Sequence, residues 1–465
     1  MRLGGLLHAP ERDLLARAQG AFIWMTNDSR YSDWLSEEGA RILHLRGPTG
    51  CGKSNMVGYL ASALRTETET RTKQPTVFKF CFNKAYPARA SLRGFLVDFI
   101  LQWLFHLPEL YPSIDRLLPV NFEGVPLWKT QTLWETFHQI LLHKDRPRIF
   151  CLIDDLEDCQ PQLKRFIPSI LAAIDKHQET KTHPQTPIPG FKLLITSKEC
   201  TTQLGLPPSH VCINLEAETE LKQDKDRIIE EGISQLIQKR PVLTRYKEQF
   251  VKKLTKSDIT ILLANLHFVI PEQCIIDSTP RCIRKELGMI PHSLIDCYGH
   301  ILESVRGKRR RLVCEAFSWI LHANRTLHTK ELATALAINP DTYEFDEEDI
   351  SGDIVSDLGD VVGPLITVIG DQIDFSHWTF RNYIISTEWK EEGTWQVRQF
   401  GDDTAALCCL SYLCTILRKI KDSEKDDVTR GISCIDESQG DGLNFLNYAV
   451  TVSSFALVLR SRTDY

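Results

Sequence analysis

The first half of this chain reads as an α/β fold, a parallel five-stranded sheet with helices on both faces. Three observations predict it. Apolar strand-like runs alternate with helical patterns, which is how a parallel sheet is wound. The run Arg41-Ile-Leu-His-Leu-Arg46 leads straight into the glycine-rich stretch Gly47-Pro-Thr-Gly-Cys-Gly-Lys-Ser54. A nearly continuous apolar run, Arg148-Ile-Phe-Cys-Leu-Ile-Asp154, ends in an acid. Strands buried on both faces have that apolar character.

In chain order, the strand Arg41–Arg46 is followed by a helix from about Lys53 through Leu60. Gly47, Gly50 and Gly52 let the backbone turn tightly and aim its N–H groups, that of Cys51 included, at an anion. The helix presents its positive N-terminal end to the same point. The pattern G-x-x-x-x-G-K-S is a phosphate-binding loop: Lys53 reaches β- and γ-phosphates and the Ser54 hydroxyl holds Mg²⁺. This implies a bound nucleoside tri- or diphosphate. The Cys51 thiol has two readings, a reactive group with a lowered pKa beside a helix N-terminus or a small residue that fits the loop.

Further strands are Thr76–Phe82, Arg148–Asp154, Phe191–Ser197 and Val211–Leu215. Helical patterns lie at Leu92–Phe105, Thr132–Leu142 and Gln162–Ile174, and Thr180–Gly190 is a proline-rich loop. The Arg41–Arg46 strand is expected beside the Thr196-Ser197 strand. Asp154, at a strand tip where ligands of parallel sheets bind, is the candidate second metal ligand. Glu157 and Asp158 follow on the next turn, as a general base or as residues that merely cap a helix start. Thr196 and Lys198 end the fourth strand, where they either sense a γ-phosphate or form a polar, solvated strand end.

After residue 216 helices dominate: Glu218–Lys239, Tyr246–Lys253 and Ile259–Ile270. Helices at Leu294–Val305, Leu312–His322 and Thr329–Ala337 then precede a hairpin, Leu365–Ile369 with Gln372–Phe375. Helices crossing an edge hairpin suggest a winged helix. Helical tails are expected at Asp402–Ile420 and Leu443–Leu459. The basic run Arg306–Arg311 reads as a solvated loop between helices.

Composition narrows the function. At 465 residues the chain holds more than one core. Its net charge of −6 gives no electrostatic reason to expect nucleic-acid binding. Its 14 cysteines show no metal-ligand spacing and fit reduced thiols in the cytoplasm. No segment reads as a membrane span. Asn83-Lys84-Ala85-Tyr86 lacks the aspartate of a guanine-specificity motif.

An ordered set of motifs resembles a known family. Phe22-Ile-Trp24 and Trp34-Leu35 precede the phosphate loop; Ile153-Asp-Asp-Leu-Glu-Asp158 and Leu194-Ile-Thr-Ser-Lys198 follow it. Ile290-Pro-His-Ser-Leu294, Gly363-Pro-Leu365 and Phe375-Ser-His-Trp378 come later. Together they resemble the fungal NACHT-domain STAND-class P-loop NTPases of the nephrocystin-type branch. The chain departs at Glu157-Asp158, where long and short acids are exchanged, and at Lys198, where arginine is usual. The resemblance implies ATP/ADP and Mg²⁺ as ligands and a switch between a closed ADP form and an open, self-associating ATP form. With the departures, it implies slow ATP hydrolysis; a non-hydrolysing nucleotide-stabilised scaffold is the alternative. It also implies that His377 contacts the β-phosphate of ADP. The domains expected are a helical lead-in at 1–20, an NTPase domain at 21–215 and a helical domain at 216–288. A winged helix at 289–390 and a helical segment at 391–465 complete the expectation, with the family's N-terminal effector domain and C-terminal repeats not fitting in the chain.

Overall fold

In a computed structural model, the chain divides into two compact units, Met1–Phe268 and Val269–Tyr465. The structure describes residues 20–36, 40–66, 75–84, 89–106, 129–142, 147–159, 190–198, 210–255, 260–264, 279–289, 293–305, 307–323, 325–387 and 402–423, and a few single positions besides. The helices expected at 1–20, 162–174 and, for the most part, 443–459 lie outside them, as does most of the loop 180–190.

The first unit carries α1 (Ile23–Asn27), α2 (Ser29–Leu35), β1 (Ile42–Arg46), α3 (Lys53–Thr66), β2 (Thr76–Cys81), α4 (Leu92–His106) and α5 (Thr130–Leu142). Then come β3 (Ile149–Asp154), β4 (Phe191–Ser197), β5 (Val211–Asn214), α6 (Thr219–Lys239) and α7 (Lys247–Leu254). The five strands pair in the order β2-β3-β4-β1-β5, all parallel. β1 lies beside β4, as expected.

Alternation along each strand builds two cores. Ile149, Cys151 and Ile153 of β3 join Phe78, Phe80, Leu193 and Ile195 against α4 and α5. Phe150 and Leu152 point the other way and pack with Leu43, Leu45, Leu194, α2 and α3. Every residue of β3 and β4 is buried. Both faces are therefore covered, which explains why these strands read as continuous apolar runs rather than as alternating ones.

The second unit holds α8 (Pro280–Met289), α9 (Leu294–Ser304), α10 (Lys308–His322), β6 (Leu327–His328), α11 (Thr329–Leu336) and α12 (Ile354–Val362). β7 (Ile366–Ile369), β8 (Gln372–Phe375), α13 (Trp378–Ser386) and α14 (Asp402–Ser423) follow. β6, β8 and β7 make a small antiparallel sheet. Phe317, Phe375 and Phe380 pack edge to face at 5.4–5.5 Å, tying β8 to α10 and α13.

The basic run differs from the expectation. Lys308–Arg311 is not a loop but the first turn of α10, entered from Gly307 at φ 66°. Arg309 and Arg311 still reach water: Arg311 is 70% exposed and pairs with Glu315 one turn on at 2.8 Å. A solvated helical turn and a solvated loop give the same charge pattern in sequence. Among the described residues, no helix is long and apolar enough to cross a membrane.

Candidate nucleotide-binding site

The phosphate loop joins β1 to α3. Gly50 and Gly52 have φ of 77° and 102°, values that side-chain-bearing residues rarely adopt. Gly47 is held by space instead, because a Cβ there would lie 2.7 Å from the Cys51 sulfur. The Gly47 N–H donates to the Ser197 carbonyl at 3.2 Å, which fixes the loop's entry to the tip of β4. Lys53 is 5% exposed, and its ammonium donates to the Gly47 and Pro48 carbonyls at 2.9 and 3.0 Å. Ser54 follows it in the first turn of α3. Burial pushes the Cys51 thiol up, and this outweighs the nearby Lys53 charge that acts to lower it. The reading as a small residue that fits the loop is thus the better one.

At the neighbouring strand tips, the Thr196 hydroxyl donates to Asp154 Oδ1 at 2.5 Å and accepts the Asp155 N–H at 3.0 Å. Asp155 sits at φ 52°, turning the chain into a 3₁₀ helix, Leu156–Asp158. Glu157 Oε2 accepts the Lys198 backbone N–H at 3.3 Å, and Glu157 Oε1 lies 3.5 Å from the Lys198 ammonium. Asp158 lies 3.8 Å from the Lys84 ammonium. Each candidate base therefore has its own lysine.

Beneath the loop, the buried His44 ring on β1 bonds the Ser197 hydroxyl at 2.9 Å through Nε2. Burial, then the charges of His210 and Arg46, push this imidazole down to about 4.

The residues fit a nucleotide and a divalent cation. The loop supplies a tight turn at Gly50 and Gly52 and a buried ammonium. Asp154 is 2% exposed and, among the described residues, forms no ion pair. Buried charges of that kind are paired or hold a metal.

Sequence reasoning missed two supports. Asp224 on α6 accepts from the Phe22 N–H at 2.8 Å and from the Trp24 indole at 2.9 Å, clasping the segment before the loop. Thr260, Ile261 and Leu262 close over the loop's glycines: a Cβ on Gly52 would meet Ile261 at 3.0 Å, and one on Gly50 would meet Thr260 at 3.1 Å. Both are contacts between distant segments, without a local signal in the sequence.

His377 belongs to the second unit. It is the N-cap of α13, and its Nδ1 accepts from the Thr379 N–H at 3.2 Å. In the neutral ring the proton is therefore on Nε2. Two motif stretches meet here, because Ser376 bonds Pro364 and Leu365 through its hydroxyl and its N–H.

Residues 20–198 match the family model described as Nephrocystin 3, N-terminal. That stretch carries the phosphate loop and the strands β1 to β4, and it is similar to a NACHT-type P-loop NTPase domain. The chain is also 22% identical over 382 residues to the vegetative incompatibility protein HET-E-1 of Podospora anserina. That match covers 79% of this chain and 26% of the relative, so the chain spans about a quarter of that protein's length. Among solved structures, Cdc6p from Pyrobaculum aerophilum is 12% identical with a TM-score of 0.29, over 78% of this chain and 91% of that one. The Aeropyrum pernix ORC1 protein, solved in complex with DNA, is 13% identical with a TM-score of 0.35, over 81% and 94%. Likeness at that distance does not bear on the site.

Proposed function

We propose that the chain binds ATP and ADP with Mg²⁺ and acts as a nucleotide-controlled switch. The observation that carries this reading is the buried Lys53 ammonium inside a glycine loop, one strand from the Thr196–Asp154 pair. Lys53 and the N–H groups of Gly50, Cys51 and Gly52 grip the phosphates, and Gly47 shapes the entry to the loop that holds them. Ser54 and Asp154 hold Mg²⁺, which when bound neutralises phosphate charge. Glu157 or Asp158 orients the attacking water. Thr196 and Lys198 read the γ-phosphate, and the His377 Nε2–H donates to the β-phosphate of ADP in the closed form. The helices and hairpin of 289–390 then act as a winged helix that moves with the nucleotide state, beside a helical domain at 216–288 and a tail at 391–465. The open ATP form self-associates, in a cytoplasmic setting that suits the free cysteines.

Hydrolysis is slow on this reading, because the exchange of long and short acids at Glu157-Asp158 moves the carboxylate by about one methylene, and a misplacement of about 1 Å costs on the order of 10²-fold in rate. The same exchange favours a second reading, a nucleotide-stabilised scaffold without turnover. Steady-state phosphate release with Mg²⁺ and ATP separates the two.

The binding claim is tested by calorimetric titration of Mg²⁺·ADP. A charge-assisted phosphate contact contributes about 1.5–3 kcal/mol, so Lys53→Ala weakens affinity roughly 10- to 150-fold. Equal affinity in a folded variant would rule the site out.

A further inference from the structure

One group of side chains at the strand tips exceeds what nucleotide magnesium requires. Cys81 ends β2, Asp154 ends β3, and the parallel register pairs them directly. Asp155, turned by its positive φ, brings a second carboxylate to the same place. One ligand atom from each of Cys81, Asp154 and Asp155 lies within 4.8 Å of the others.

A separate observation points to a cation here. Asp154 is 2% exposed, and among the described residues no ammonium or guanidinium pairs with it. Lys53 is turned to the Gly47 and Pro48 carbonyls, Lys84 to Asp158 and Lys198 to Glu157. Its bond from the neutral Thr196 hydroxyl at 2.5 Å leaves the charge uncompensated, and buried charges are paired or coordinate a metal. Magnesium accounts for the carboxylates but not for the sulfur, since it selects oxygen ligands. Thiolate selects softer ions such as zinc or cadmium. Zinc needs sulfur at about 2.3 Å and oxygen at about 2.0–2.2 Å, so the three groups must close in by about 1 Å. Cys81 and Asp155 are half-buried, and rotation of their side chains toward the buried Asp154 supplies that.

We infer that Cys81, Asp154 and Asp155 form a site for a thiophilic divalent cation of the zinc class, completed by water, and that this cation takes Asp154 away from nucleotide magnesium. The competition rests on the nucleotide reading; the metal site does not. On binding, the Cys81 S–H bond breaks, its proton passes to solvent and a sulfur–metal bond forms, with no change of oxidation state. The thiol gives up a weak bond to the Phe82 carbonyl at 3.5 Å.

The test uses the full chain, stripped of nucleotide and metal. Cadmium alone is titrated while the thiolate-to-metal ultraviolet band is followed, and zinc alone is titrated against a chromophoric chelator. Cys81→Ser is expected to remove one site's share of the band and to weaken zinc at least about tenfold. Asp155→Asn is expected to keep the band and weaken zinc, and Lys53→Ala to change neither. Mg²⁺·ADP is expected to weaken zinc in the wild type, and to do so in Lys53→Ala only at a roughly 10- to 150-fold higher concentration. A Cys81→Ser protein with the wild-type band and zinc affinity would place the metal on other thiols and overturn the proposal. If that variant does not fold, unchanged zinc affinity in Asp155→Asn overturns it instead. Zinc binding that depends on Cys81 but ignores Mg²⁺·ADP would keep the site and remove the competition.

Discussion

The phosphate loop and the carboxylate turn at 155–158 follow the C-terminal ends of β1 and β3 in one sheet, yet they are built differently. The loop is fixed by backbone: positive φ at two glycines, a Gly47 N–H on β4, and an ammonium on two carbonyls. The turn has 3₁₀ backbone bonds of its own, but its Glu157 and Asp158 carboxylates are placed by side-chain ion pairs of 3.5 and 3.8 Å whose lysines are 35% and 57% exposed. Exposed pairs of that length contribute little. On the proposed function, that difference makes binding and hydrolysis separable. A chain can keep the first, which its core enforces, while the second drifts.

The largest expected effect breaks one region and spares the other. Removing the true base by Glu157→Gln or Asp158→Asn should lower ATP turnover by about 10²- to 10⁴-fold, with nucleotide affinity held. The two variants should be unequal, and single-turnover phosphate release identifies the base. Turnover that survives the double variant would show that neither carboxylate is catalytic.

A smaller effect concerns the floor of the loop. The His44 imidazole is held at about 4 in the folded chain against 6.5 in the unfolded one. Its neutral form is the folded form, so its contribution is complete above pH 6.5 and is lost as pH falls toward 4. At pH 5 the loss is roughly 2 kcal/mol. Chemical denaturation at pH 7 and at pH 5 should show this slope in the wild type and a shallower one in His44→Asn. Identical slopes would mean that the ring does not titrate with folding.

The smallest effect lies outside both regions. If His377 contacts ADP, His377→Ala removes a hydrogen bond to a charged group and should speed ADP release at least roughly tenfold. Stopped-flow displacement of a fluorescent ADP measures it, and equal off-rates would leave His377 as the α13 cap alone.

Much of this was legible in the sequence. Strands that must be buried on both faces show as apolar runs, and the ends of β3, β4 and β8 fall within a residue of the expected ones. The loop residues were legible because each has a local reason to be there. Asp224, Thr260 and the pairing of Cys81 with Asp154 were not, because they depend on which segments meet, and no single segment records that. The lysine partners of Glu157 and Asp158 escaped notice for the same reason. Lys308–Arg311 was misread because solvent accepts a charged run whether its backbone is helical or not.

The most direct measurement is the identity of the nucleotide that the purified chain retains, read by mass spectrometry after denaturation. ADP or ATP in near-stoichiometric amount, lost in Lys53→Ala, is the expected result. A chain that carries no nucleotide and binds none added with Mg²⁺, or that selects a guanine nucleotide, or whose Lys53→Ala variant retains as much as wild type, would contradict the account.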